Sequence, residues 1–209
     1  MRPHNSQTWA RIVMSGMVAG GIAWAAAPVW AGPPAESLKT TIDEVIRILE
    51  DQNWRKPEKK QERRKLLEQV IGQRFNYAEM AKRTLAGEWN KRTPEEQKEF
   101  ASDFQTLLAN TYIGRIEAYS GEKVQYLKEI HSDDFAEVRT KVDNGKTTID
   151  IDYRLLMNGS GDWRVYDVVV EGTSLVQNYR EQFKRILNKD SFQGLAKQLR
   201  KKTETIKAP

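Results

Sequence analysis

The chain of 209 residues contains no cysteine and only two histidines. The first absence excludes disulfides, thiolate nucleophiles and cysteine-ligated metals. His4 lies in a leading segment that reads as removable, so His131 is the only imidazole left for a triad or a metal site. It stands beside Ser132-Asp133-Asp134, a polar stretch that reads as a surface turn. No HExxH, P-loop or GxGxxG spacing is present. A metal would have to use carboxylates alone, and Asp133-Asp134 and Asp150-x-Asp152 are the available groupings. Acids that alternate along a strand ordinarily form its wet face. No cofactor and no metal are expected.

One-sided charge is also lacking. Lys+Arg number 34 against 29 Asp+Glu. Removal of residues 1–31 takes Arg2 and Arg11 with it, leaving 32 against 29, formally +3. Interleaved signs, as in KKQERRK from Lys59 to Lys65, describe a solvated helix face rather than a nucleic-acid-binding patch. The Arg200, Lys201, Lys202 and Lys207 group reads as a short basic C-terminal tail.

Long apolar runs are confined to the N-terminus. Arg2 and Arg11 flank the start without any acid, Ile12 to Ala27 is apolar, and Val29-Trp30-Ala31 places small residues where a signal peptidase needs them. Residues 1–31 are expected to be a secretory signal cleaved after Ala31, with residues 32–209 forming a single domain. A retained anchor competes with this reading, although the run is marginal in length for a span. The remaining chain is long enough for one sizeable core, and without disulfides that core must supply the stability.

What is present is a change of period along the chain. Leu38, Ile42, Val45, Ile46 and Leu49 recur at helical spacing. Pro57 suits a helix's first turn, Leu66, Leu67, Val70 and Ile71 follow, and Gly72 can stop that helix. A short helix is predicted over Tyr77 to Leu85, ended by Gly87. Thr93-Pro94-Glu95-Glu96 carries a capping box, and the helix after it presents Phe100, Phe104, Leu107, Leu108, Thr111, Tyr112 and Tyr119 along one side.

From Glu122 the period becomes two. Strands are predicted from Val124 to Ile130, from Phe135 to Val142, from Ile149 to Leu155 and from Trp163 to Val170, with Asn144-Gly145 as a hairpin turn. Ser174 then caps a helix carrying Leu175, Tyr179, Phe183 and Ile186, and Asp190 with Gln193 has capping-box spacing before a final short helix with Leu195 and Leu199. Helices, an antiparallel meander, then helices again define an α+β protein, an antiparallel sheet of about four strands packed against several helices.

The aromatic residues suit either a filled core or a deep apolar slot. A ketosteroid-isomerase-like site, with Asp167 as base and Tyr153 or Tyr166 as donor, is the enzymatic alternative, although Asp167 serves equally as a structural carboxylate. An exported adaptor with a solid core is the third reading.

Two blocks carry a resemblance. One is Tyr153-Arg154, Trp163-Arg164-Val165-Tyr166-Asp167-Val168, Glu171-Gly172-Thr173-Ser174-Leu175 and Asn178-Tyr179-Arg180-Glu181-Gln182-Phe183. The other runs from Phe75-Asn76-Tyr77 through Met80-Ala81, Trp89 and Thr93-Pro94-Glu95-Glu96-Gln97 to Phe100, Phe104, Leu107-Leu108, Thr111-Tyr112 and Tyr119. In order and spacing this resembles the MlaC, or toluene-tolerance, family over about residues 38–200, with Thr173 standing where the family more often has Val. The hopanoid-associated HpnM branch shares the pattern. The resemblance implies a curved antiparallel sheet packed against several helices and enclosing an apolar cavity for acyl chains, in a monomeric, non-enzymatic periplasmic phospholipid carrier. It would serve an ABC lipid-trafficking system, shuttling between an outer-membrane lipoprotein complex and an inner-membrane transporter with MCE-domain subunits, without nucleic-acid partners. Phe104, Leu108, Tyr112, Ile151, Tyr153, Trp163, Val165 and Val168 are the residues expected to line its lipid-binding cavity. A one-residue slip would exchange the inner and outer faces of any strand.

Overall fold

The computed structural model describes residues 32–207; the expected signal segment and its cleavage site lie outside them. Four helices come first: α1 Pro33–Glu50, α2 Lys60–Arg74, α3 Tyr77–Leu85 and α4 Pro94–Glu117, with 3-10 turns at Pro57–Lys59 and Ala86–Lys91. Five strands follow: β1 Lys123–Ser132, β2 Phe135–Asp143, β3 Thr148–Met157, β4 Trp163–Val170 and the two-residue β5 Thr173–Ser174. Helices α5 Leu175–Leu187 and α6 Phe192–Lys207 close the chain. The sheet is antiparallel in the order β1-β2-β3-β4-β5. The architecture is the α+β one expected, with β5 added to the four long strands.

Local signals explain most of the element boundaries. Thr93 accepts from Glu96 N and the Glu96 carboxylate accepts from Thr93 N, the reciprocal capping box. Ser174 caps α5 by accepting from Gln177 N. Three helix-end signals differ from the sequence reading. Helix α2 runs through Gly72 to Arg74, because the Arg74 guanidinium is fixed from outside the helix: it donates to Asp162 at 2.8 Å and to Thr41 at 3.2 Å, and also to the carbonyl of Trp163. A mid-helix glycine costs only about 1 kcal/mol, which such anchoring offsets. Helix α3 stops at Ala86, in a left-handed conformation (φ 51°), rather than at Gly87. Helix α6 is capped by Ser191, whose hydroxyl accepts from Gly194 N, rather than by Asp190.

The basic tail is part of α6. Leu195, Leu199 and Thr203, four residues apart, are buried at 1%, 3% and 7% exposure. Asn110 of α4 donates to the Thr203 carbonyl, and Arg200 pairs with Asp103 of α4 at 3.3 Å. Lys201 and Lys202 are the exposed residues of a docked helix.

Two bulges shape the sheet. One lies at Leu127 in β1 and the other at Tyr166 in β4; bulges bend and twist the strand that carries them. The second changes which side chains share a face. Strict alternation from Trp163 would place Val165, Asp167 and Val169 together. Instead Trp163 pairs with Met157, Val165 with Leu155 and Val168 with Tyr153, so those six lie on one face, and Asp167, opposite Arg154, moves to the other. The far edge of β4 is covered where Asn76 N donates to the Val165 carbonyl at 2.8 Å.

Three apolar clusters result. Helices α3 to α6 form one, centred on Phe100, Phe104, Tyr179, Phe183 and Phe192. The first half of α1 packs with the sheet face bearing Val138, Leu155, Trp163 and Val165. The second half of α1 meets Leu67 of α2 and Ile113 of α4. Phe75 touches both of the first two clusters.

Candidate functional site

The face of the sheet beneath α1 follows from the register. Across β1 to β4 it carries Val124, Tyr126, Glu129 and His131, then Ala136, Val138, Thr140 and Val142, then Ile149, Ile151, Tyr153, Leu155 and Met157, and finally Trp163, Val165, Val168 and Val170. Apart from Glu129, His131 and the hydroxyls of Thr140, Tyr126 and Tyr153, this surface is aliphatic or aromatic. Its burial is graded. At one end Leu155, Val165, Val138 and Trp163 are 0–4% exposed under Ala35 and Leu38 of α1. In the middle Tyr126, Ile151, Tyr153 and Val168 are half-buried. At the far end Ile149 and Val170 are 39% and 36% exposed. An apolar row that is sealed at one end and open at the other can take an elongated apolar guest in from the open end.

Helix α1 is held to this face by a charged contact. Glu129 accepts from Ala35 N in the first turn of α1 at 3.0 Å, where the helix dipole favours a carboxylate. Gly32, which caps that helix, lies so close that any Cβ there would collide with the Glu129 carboxylate. The chain therefore enters α1 over the sheet, and a side chain at this position would displace the Glu129 carboxylate.

Two tyrosines supply the polar character inside the row. Burial pushes the Tyr153 hydroxyl up to about 12. Burial, together with the nearby Asp43 carboxylate and Tyr153, raises Tyr126 further. The Tyr126 hydroxyl is buried without a hydrogen-bond partner among the described residues. A buried hydroxyl left unpaired costs on the order of 1–3 kcal/mol, and a guest bearing an acceptor would remove that cost.

The structure divides the eight residues expected to line a cavity. Ile151, Tyr153, Trp163, Val165 and Val168 share the inner face of the sheet. Phe104, Leu108 and Tyr112 are elsewhere, in the helical cluster, where Phe104 meets Tyr179 and Phe183 edge-on at 5.2 and 5.9 Å. Sequence reasoning did not single out Ile42 or Tyr126 for this face, and both pack against its cluster. Tyr126 was legible as the alternate of Val124 on a period-two strand. Ile42 was not, because nothing local says which partner a helix stripe meets.

His131 is not in a turn. It is in β1, exposed, with its ring edge-on to Trp163 at 5.0 Å. Asp167 cannot pair with Tyr153 as base and donor, because the β4 bulge places them on opposite faces. Its carboxylate accepts from Ser174 Oγ at 2.6 Å, Val176 N at 3.0 Å and Arg154 Nη1 at 3.1 Å, fixing the corner between β4 and α5. Among the described residues there is no cluster of His, Asp and Glu that could hold a metal, and no helix is long and apolar enough to cross a membrane.

These features define a class: an open antiparallel sheet backed by helices, with one apolar face partly uncovered. The family profile for the MlaC protein matches residues 39–201, and the chain belongs to the MlaC family. It is 31% identical over 123 residues to the intermembrane phospholipid transport system binding protein MlaC of Haemophilus influenzae, a match spanning 56% of this chain and 58% of that protein. A solved structure of a phospholipid-binding protein from Ralstonia solanacearum, in complex with a phospholipid, superposes with a TM-score of 0.74 at 25% identity, covering 84% of this chain and 99% of that one.

Proposed function

We propose that the protein is a periplasmic phospholipid carrier that holds acyl chains against the inner face of the sheet, beneath α1. The observation that carries this reading is the graded burial from Leu155 and Val165 to Ile149 and Val170, in a fold shared with a protein solved around a phospholipid. Ile151, Tyr153, Trp163, Val165 and Val168 contribute to the lining, with Ile42 and Tyr126 beside them. Phe104, Leu108 and Tyr112 support the wall from within the helical cluster.

Each buried methylene contributes about 0.8 kcal/mol, so a chain of about 15 carbons supplies on the order of 10 kcal/mol before ordering costs. Tails thus dominate affinity, and head-group selectivity is weak. Spontaneous loss to water is slow, and release calls for a partner that opens the face. The partners are an outer-membrane lipoprotein complex and an inner-membrane MCE-domain transporter of an Mla-type ABC system, reached after export and removal of residues 1–31. The protein itself performs no covalent chemistry and works as a monomer.

The test is native mass spectrometry of the chain from Gly32, purified without detergent, beside a solvent extract. A stoichiometric phospholipid adduct is expected. A hopanoid in the extract would move the assignment to the hopanoid-associated branch. A mass that stays ligand-free after incubation with liposomes would overturn the carrier reading in favour of a solid-core adaptor.

A further inference from the structure

The sheet has a second, chemically different face. On the side away from α1, a cleft of about 670 Å³ opens between α3, α5 and the outer surface of β3 and β4. Its acids are recessed and already satisfied. Asp167, 3% exposed, is held by Arg154, Ser174 and the Val176 amide. Glu79 is paired with Arg83 at 2.8 Å and lies near Lys82. Its cations stand at the rim: the side chains of Lys82, Arg83 and Arg154 are 55%, 36% and 39% exposed. Arg180, also exposed, has no ion pair among the described residues. A visitor therefore meets positive charge first.

An aromatic strip runs from the cleft onto its border. The Arg83 guanidinium lies over the Tyr166 ring at 4.1 Å, and Tyr166 meets Phe135 edge-on. Phe135 and Ile130, 46% and 39% exposed, continue the strip on the same outer face. Large apolar side chains beside a charged rim mark protein interfaces more often than bare surface. Much of the YR, WRVYDV, EGTSL and NYREQF pattern is built around this corner: Arg154, Tyr166, Asp167, Ser174 and Arg180 line it.

We infer that this cleft is a protein-docking site for an acidic partner segment that carries an apolar side chain, on the face of the sheet opposite the lipid. The carboxylates of the segment would meet Lys82 and Arg180, and its apolar side chain would rest on Tyr166 and Phe135. The recessed shape favours a protein over a membrane surface, since a flat bilayer reaches the rim but not the floor. The inference rests on the carrier reading, which supplies the partners. It places docking and lipid holding on separate faces, so a partner grips the carrier without covering its cargo.

The test uses two variants of the mature chain, Lys82→Glu with Arg180→Glu, and Phe135→Asp. Each is compared with wild type for binding to the purified soluble MCE-domain subunit, to the outer-membrane lipoprotein complex, and to phosphatidylglycerol-containing vesicles. Both variants are expected to lose about tenfold or more in affinity for at least one protein partner, with wild-type binding weakening as salt rises, and with phospholipid occupancy by native mass spectrometry unchanged. Retention by both variants of wild-type affinity for every protein partner that the wild type binds would overturn the docking site and leave the carrier reading standing. Loss of vesicle binding alone would make the cleft a membrane contact instead and overturn it too. Wild-type binding to neither partner would remove the proposed partners themselves, and the docking site with them.

Discussion

The helical cluster and the inner face of the sheet are both apolar, yet one is filled and the other is only partly covered. In the cluster, Phe104, Phe100 and Leu107 are 0–1% exposed, and Phe100, Phe104, Tyr179, Phe183 and Phe192 meet ring to ring at 5.2 to 5.9 Å. Four helices converge there, so each ring is surrounded. The sheet face has one helix laid across it, and α1 leaves it halfway to pack on α2 and α4. Apolar composition alone therefore does not say whether a region is core or site. The number of elements that converge on a face decides it, because buried rings need partners on every side to reach interior packing density.

The largest effect expected of a single substitution falls in the cluster. Phe104→Ala should cost about 3–5 kcal/mol in urea denaturation, as deletion of a fully surrounded ring does. Leu108→Arg, at 6% exposure in the same cluster, should yield little folded protein. A loss below about 1 kcal/mol for Phe104→Ala would mean that the cluster is as loose as the sheet face, and the contrast would fail. Val168→Arg on the inner face should behave in the opposite way. The half-buried position lets the long side chain reach water, so the fold persists while co-purified phospholipid is lost. Undiminished lipid would remove Val168 from the lining, and an unfolded variant would make the inner face a solid core.

A smaller effect tests what holds α1 over the face. Glu129→Gln weakens the hydrogen bond to Ala35 N and removes a charge favoured at a helix N-terminus, which should cost about 1–2 kcal/mol for this part-buried contact. Amide exchange in the first turn of α1 should quicken more than in α4. Uniform change across both helices would show that the contact stabilises the whole chain rather than this attachment.

Much of the fold was legible because the signals were local. The Thr93 capping box, the bounds of α3 and the span of β4 from Trp163 to Val170 need only neighbours within a turn or a strand. The site was less legible for two physical reasons. Which cluster Phe104 joins depends on how α5 and α6 dock, a contact far away in sequence. Which face Asp167 takes depends on the bulge at Tyr166, which no composition rule marks and which moves Asp167 out of the apolar row into the β4–α5 corner. The Gly72 stop failed for the same kind of reason, since Arg74 is anchored by Asp162 and Thr41.

The smallest effect separates packing from ligand contact within the inner face itself. Tyr126→Phe deletes a buried hydroxyl that has no partner among the described residues, so the ligand-free chain should be unchanged or more stable by up to about 1 kcal/mol. If that hydroxyl donates to a lipid acceptor, the same substitution should weaken phospholipid retention, and the two measurements will move in opposite directions. Alkaline titration offers an independent check on Tyr153. Its folded value of about 12 exceeds the ordinary 10.0, so between these limits the unfolded chain binds fewer protons than the folded one. The contribution is fully present below pH 10 and is lost as pH rises through about 12, and Tyr153→Phe should flatten that part of the stability curve. An unaltered curve in Tyr153→Phe would place the hydroxyl in water, and the middle of the apolar row would then be open rather than half-closed.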